Sequence, residues 1–402
     1  MRLSAAASLG LLGGPGSAFP IDAAGSDSSG RNPPASEALT LFLCGDVMTG
    51  RGIDQALPHP SDPRIHEPYV QSARGYVELA QRASGRIPSP VAFSYVWGDA
   101  LAELERADLR IVNLETSVTR SDQWAAKGIN YRMHPDNVAC LTAAGIDCCV
   151  LANNHVLDWG PAGLLETLEV LRGAGMATAG AGRDLAAARA PATLQVSGST
   201  GRLLVFAFAA TDSGVPRDWA ATDRGPGVHL LADLSERTAS DVAAVIRAVR
   251  READAAVASI HWGGNWGYPV PRAQRAFARA LVDSGAVDVV HGHSSHHPKG
   301  IEIYRGRPIL YGCGDFLNDY EGISGYEEYR SHLVLAYLVT LEAETRRLLR
   351  LEMTPLEIRR FRLQRASIDD ARWMRSVLDR ESKKLGTRVV MNGEGALAAR
   401  WR

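Results

Sequence analysis

The stretch His291-Gly292-His293-Ser294-Ser295-His296-His297-Pro298 sets four histidines on a short polar segment directly after the apolar run Gly285 to Val290. Imidazole is the commonest protein metal ligand at neutral pH. Histidines on a turn at a strand's end can converge on one ion, where a helix or a strand interior would spread them over different faces. Further turns that follow apolar runs carry Asp46, Glu115, Asn154 with His155, and His261. Carboxylates and imidazoles without a thiolate suit Zn, Mn or Fe in a reactive centre, whereas a structural zinc site would draw on cysteine. Two neighbouring ions that share a carboxylate clamp the attacking and leaving oxygens of a phosphoester. Each residue has a duller reading as well. Asp46 could cap a helix, Asn154 shape a turn, Glu115 sit in solvent, His261 bond to backbone, and the histidine run form a solvated loop. Their joint placement at strand ends points to metal chemistry.

Such turns need strands to hold them. Leu39 to Cys44 reads as the first strand, followed by Leu109 to Val112, Asp147 to Leu151, Leu203 to Ala209, Ala255 to Ile260 and the run ending at Val290. Helices are expected between them, over about 97–107, 137–144, 161–174, 235–252 and 274–284. The third is punctuated by Pro161 at its start and Gly173 and Gly175 at its end. Ile301 to Tyr304 and Ile309 to Tyr311 form a hairpin around Arg305-Gly306, and Leu333 to Leu341 and Leu348 to Met353 are later strands. Positions 55–90, rich in proline, histidine and charge, read as a long surface loop. The chain thus alternates strand, polar turn and helix, the α/β pattern that sets sites outside the carboxyl ends of strands. Residues 1–36 read as a disordered leader, 37–345 as one catalytic-type domain, and 346–402 as a C-terminal strand and helical tail.

Composition excludes several classes. A formal net charge of -1 leaves no electrostatic footprint for nucleic acid. No apolar run approaches the roughly 20 residues of a transmembrane span. Five cysteines without a CxxC pair suggest free thiols. The N-terminus makes a poor signal peptide, its apolar stretch broken by Ser8, Gly10, Gly13 and Gly14, so both a cytoplasmic and an exported location stay open. Gly180-Ala181-Gly182 lacks the third glycine and the acidic partner of a dinucleotide loop.

Gly45-Asp46-Val47-Met48, Asn113-Leu114-Glu115, Ala152-Asn153-Asn154-His155-Val156-Leu157-Asp158-Trp159-Gly160, His261-Trp262-Gly263 and Gly292-His293-Ser294-Ser295-His296 together resemble the CapA family of poly-γ-glutamate capsule biosynthesis, within the calcineurin-like metallophosphoesterase superfamily. The resemblance spans roughly residues 39–340. It implies a two-sheet β-sandwich flanked by helices, a four-layer α/β/β/α arrangement, with a site for one or two divalent ions. Asp46 and His296 would hold one ion, Asn154, His261 and His293 the other, and Glu115 would bridge. His155, held by a neighbour such as Asp158, would be the general acid and a metal-bound hydroxide the nucleophile. The implied activity is hydrolysis of a phosphoester or of a linkage in poly-γ-glutamate or another envelope polymer. A non-catalytic factor that grips an anionic polymer is the alternative. Two positions depart from the pattern. Met48 stands where the superfamily has a histidine ligand, and a thioether is a poor ligand for hard ions. Asp315 stands where the family usually has asparagine, and a substrate contact and a structural turn are equal readings of it. Trp97, Trp159, Trp262, Trp266, Tyr268 and Tyr320 fall near these turns, as cleft lining or as core.

Overall fold

A computed structural model of the protein describes residues 38–199 and 201–402. The leader expected over residues 1–36 lies outside the described residues.

Strand Arg202–Ala209 shows why the molecule is layered. Leu203, Val205, Ala207 and Ala209 point into one core, and Leu204, Phe206 and Phe208 into a second. Because successive strand residues face opposite sides, a strand apolar at every position must be covered on both. One cover is a pair of helices. Ser235 caps Glu236–Val249 by accepting from Thr238 N (3.2 Å), and Ala239, Val242, Ala243 and Ile246 recur on its buried face. Arg272–Asp283 buries Phe277, Ala278, Leu281 and Val282 in the same way. The other cover is a second sheet.

The first sheet runs, in spatial order, Arg388–Met391, Leu397–Arg400, Leu348–Arg359, Leu333–Glu342, Ala38–Val47, Leu109–Leu114, Cys148–Val150 and Ala177–Ala179. Asp315–Leu317 joins it beside Ala38–Val47, and Arg362–Arg365 beside Leu348–Arg359. The second sheet runs Ile301–Tyr304, Arg307–Leu310, Val289–His293, Ala255–His261, Arg202–Ala209 and Ala192–Gln195. Phe42 and Phe316 meet edge to face at 5.7 Å, and Trp97 lies against Phe316 while its indole donates to Cys140 O (2.7 Å). These contacts tie the first sheet to the helical segments Tyr95–Ala100 and Ala139–Thr142. Two packed sheets with flanking helices are the expected sandwich. No helix among the described residues is long and apolar enough to cross a membrane.

Two segments differ from expectation. Within 55–90 lies the helix Arg74–Ser84, which buries Tyr76 and Ala80, one turn apart. Its short apolar stripe is masked by the prolines and charges around it. After residue 345 the chain supplies four strands, Leu348–Arg359, Arg362–Arg365, Arg388–Met391 and Leu397–Arg400, besides the helix Ile368–Lys383. Three of these are four-residue strands with arginines at their ends, too short and too charged to show a period. They extend the first sheet and form no separate tail.

All five cysteines are buried and unpaired. Burial pushes the Cys140 and Cys149 thiols up to about 12, and Cys44, Cys148 and Cys313 well above the usual range. Thiolates, not thiols, react. The native protein should therefore show no rapidly reacting thiol toward an aromatic disulfide reagent and five after denaturation; a fast native thiol would contradict this packing.

Candidate metal centre

In the first sheet the strands Ala38–Val47, Leu109–Leu114, Cys148–Val150 and Asp315–Leu317 run parallel, so their carboxyl ends share one edge. In the second, Arg202–Ala209, Ala255–His261 and Val289–His293 do the same. Register then sets neighbours. Asp46 lies beside Asn113 on one side and Asp315 on the other, and His261 lies beside His293. The approach of Ala38–Val47 to the 313–315 turn requires glycine, because a Cβ on Gly45 would fall 1.6 Å from Gly314 O.

Asparagine side chains orient the carboxylates. Asn113 Nδ2 donates to Asp46 Oδ1 (2.7 Å) and Glu115 Oε2 (3.2 Å). Asn153 Nδ2 donates to Asn113 Oδ1 (3.0 Å), while Asn153 Oδ1 accepts from His155 N (3.1 Å). One amide chain thus couples the Asp46 and Glu115 turns to the Asn154–His155 turn. Burial, then the charge of Asp315, pushes Asp46 up to about 7. Burial, then the charge of Asp46, holds Glu115 well above the carboxylate range.

The histidines follow a fixed proton pattern. His291 Nε2 faces the carbonyl oxygen of Cys44 (2.7 Å), which only accepts, so Nε2 carries the proton. Burial pushes His291 down to about 4, leaving Nδ1 as an acceptor for the Ser259 hydroxyl (3.0 Å). Ser259 Oγ, its one proton used, accepts from His293 Nε2 (2.9 Å). His293, also held neutral by burial, is left with a bare lone pair at Nδ1, 2.8 Å from His261 Nδ1 and 3.9 Å from Asp46 Oδ1. His261 Nε2 lies 3.1 Å from Asn154 Oδ1 and 3.9 Å from Glu115 Oε1. Carboxylates and imidazole lone pairs that converge in a dry interior fit a cation. Two sets have ligand atoms within 4.8 Å of one another: Asp46, His261 and His293, and Asp46, His296 and Asp315. His296 Nδ1 lies 2.8 Å from Asp315 Oδ1.

His155 stands at the edge of this cluster, its Nε2 3.9 Å from Glu115 Oε1. Its Nδ1 lies 2.6 Å from Asp158 Oδ2, which also accepts from Tyr131 N (2.6 Å). Burial pushes His155 down to about 4 although Asp158 pulls the other way. Lys127 Nζ pairs with Asp158 Oδ1 (2.8 Å), donates to Asn154 O and lies 3.3 Å from His155 Nδ1.

The structure therefore brings Asp46, Glu115, Asn154, His155, Asp158, His261, His293 and His296 together. Sequence reasoning missed the roles of Asn113, Asn153, Ser259 and His291, which lie within or beside the same motifs, and of Lys127, which no motif marks. Among the aromatics, Trp97 and Trp262 are core, with Trp262 Nε1 donating to Tyr311 O (2.9 Å). Trp266 and Tyr320 lie against His296, with ring centroids 5.4 and 5.6 Å away. Trp159 is buried under Arg132, and Tyr268 packs on His297.

Residues 40–320 match the family model described as bacterial capsule synthesis protein PGA_cap. A probable polyglutamine synthesis accessory protein of Mycobacterium tuberculosis is 50% identical over 365 residues, covering 90% of this chain and 96% of the relative. The PGA biosynthesis protein CapA of Bacillus subtilis is 28% identical over 328 residues, covering 81% and 73%. Among solved structures, a phosphatase from Mycoplasma pneumoniae aligns with a TM-score of 0.45 at 12% identity, over 80% of this chain and 94% of that one.

Asp158→Ala removes the acceptor of Tyr131 N, His155 and Lys127 at once. Removing one partner from a buried charge network is costly, so urea melts should show a loss of about 2–3 kcal/mol. A change below about 0.5 kcal/mol, the usual range for a surface site, would mean that Asp158 does not hold this turn.

Proposed function

Given that the chain belongs to the PGA_cap family of bacterial capsule synthesis proteins, we propose that it is a metal-dependent hydrolase acting on a phosphoester or on a linkage in an anionic envelope polymer such as poly-γ-glutamate. The observation that carries this reading is the convergence of Asp46, Glu115, His261 and His293 in a buried cluster, the two imidazoles facing each other at 2.8 Å, with the His155–Asp158 pair at its edge.

Asp46, Glu115, Asn154, His261, His293 and His296 would hold one or two divalent ions, with Mn, Fe or Zn suited to this donor set. When bound, such ions supply Lewis acidity, polarising a phosphoryl or carbonyl oxygen and activating water at neutral pH. The chain's own residues do the rest. Asp158 fixes the proton of His155 at Nδ1, which turns the Nε2 lone pair toward the centre, where it takes up a proton before passing it to the leaving oxygen. Lys127, a quarter exposed beside this pair, offers a positive charge to an anionic substrate. The Asn113–Asn153 amide chain keeps the carboxylates and His155 in register.

A non-catalytic polymer-binding factor is the second reading, favoured by Met48 at a ligand position of the superfamily and by the accessory role in the name of the mycobacterial relative. The His155–Asp158 pair favours catalysis, because gripping a polymer requires no proton donor.

Metal content by mass spectrometry on protein purified without chelators, paired with phosphodiester, phosphomonoester and γ-glutamyl amide assays in added Mn, separates these readings. His261→Ala or His293→Ala should lower metal per chain, and unchanged metal in both would sink the ligand assignment. His155→Ala should keep its metal while turnover falls by about 10²–10⁴. A fully loaded wild type without turnover on any of these substrates would establish the binding factor instead.

A further inference from the structure

The Met48 position leaves one side of the centre short of a donor, and the fold supplies another from elsewhere. Met48 lies two residues beyond Asp46, directly after the strand Ala38–Val47, and its backbone N–H bonds to Leu317 O (2.8 Å). Its thioether is fully buried and accepts a hydrogen bond from the Tyr320 hydroxyl (3.4 Å). That sulfur is doubly unsuited to a hard divalent ion: it is soft, and its lone pair is engaged.

Asp315 opens the strand paired in parallel with Ala38–Val47, and its register partner is Asp46 itself. Two carboxylates side by side on adjacent strands repel each other, and both are out of water, with exposures of 0% for Asp46 and 1% for Asp315. Asn318 Nδ2 donates to Asp315 Oδ2 (2.8 Å), which leaves Oδ1 directed at His296 Nδ1, 2.8 Å away. Asp46, His296 and Asp315 thus present ligand atoms within 4.8 Å of one another, and Asp46 also belongs to the set with His261 and His293.

We propose that Asp315 is a metal ligand that replaces the donor missing at Met48, so that Asp46, His296 and Asp315 form one cation position and share Asp46 with the position formed by Asp46, His261 and His293. This rests on the metal-dependent reading above and adds to it a specific claim: the centre is dinuclear, and Asp46 is the carboxylate common to both ions. Glu115, which accepts from Asn113 Nδ2 (3.2 Å) and lies 3.9 Å from both His155 and His261, is on the His261 side.

The test is Mn binding to metal-free full-length protein by calorimetry, with EPR as a readout independent of turnover. The wild type should bind two ions and give the spectrum of a spin-coupled pair. Asp315→Asn, close to isosteric, should lose one ion or weaken one site by well over the ~10–100-fold that losing an outer partner costs a metal site, and a smaller loss would make Asp315 a partner of His296 and not a ligand. Its EPR should become that of isolated Mn. Met48→His combined with Asp315→Asn should restore the second ion. Two ions of unchanged affinity in Asp315→Asn would overturn the assignment. A single ion in the wild type would also overturn it, while leaving a mononuclear hydrolase standing. A wild type that binds no Mn, Fe or Zn would overturn both this inference and the metal-dependent reading.

Discussion

Asp46, Glu115 and Asp315 are all at least 98% out of water, and the charge of Asp315 adds to burial in raising the proton affinity of Asp46 and Glu115. Burying an ionised carboxylate without compensation costs many kcal/mol, so such groups are paired, protonated or bound to a cation. The surrounding groups answer that cost without removing it. Asn113 donates to two of the carboxylates and Asn318 to the third, while Ser294 N donates to Asp46 Oδ2 (3.2 Å). These are neutral dipoles, and none supplies a full positive charge. The histidines, pushed neutral by burial at 261, 291 and 293, do not supply it either. His296 alone is drawn upward, as Asp315 and Asp46 outweigh its burial. Burial thus pushes Asp46 and Glu115 toward their protonated forms, and a divalent cation would hold them ionised instead.

The rest of the fold holds this arrangement open. Had Asp46 been free to move, it would have turned toward solvent. Parallel pairing on both of its sides and the glycine contact at Gly314 prevent that. His291 joins the sheets at the base of the site, bonding Cys44 O in one and Ser259 in the other. A buried ion network backs the far wall. Arg51 Nη1 donates to Glu67 Oε1 (2.9 Å), Arg51 Nη2 to Asp319 Oδ1 (2.5 Å), and the guanidinium lies 4.5 Å above the Tyr131 ring, which meets His155 edge-on at 4.5 Å. The imidazole of His155 is thus braced by the Tyr131 ring on one side and by Asp158 on the other.

Most of this was legible in the sequence because the informative residues sit where local rules apply. Asp46, Glu115, Asn154, His155, His261, His293 and His296 each end or directly follow a buried strand or its turn, and apolar runs followed by polar turns are visible in one dimension. What stayed hidden depends on register or on loop closure. Asp315 was visible as a departure, but its place beside Asp46 comes from a pairing across more than half the chain. Lys127 lies in a stretch without period, and its role exists only once that loop closes over Asn154 and Asp158. The helix Arg74–Ser84 and the strands Arg388–Met391 and Leu397–Arg400 were lost among charges, since their buried positions are too few to set a period.

Burial also determines from which side a substrate can arrive. Asp46, Glu115, His261 and His293 are closed off, whereas His155, Asn154 and His296 keep some exposure. These three define the rim. Beside His155 stands Lys127, its ammonium 5.2 Å from the Trp219 ring. Beside His296 stands an aromatic group in which Trp266 stacks on Tyr326 at 4.0 Å and Tyr329 stacks on His297 at 4.6 Å. The exposed edge of the centre is thus flanked by a cation beside His155 and by stacked aromatic rings beside His296.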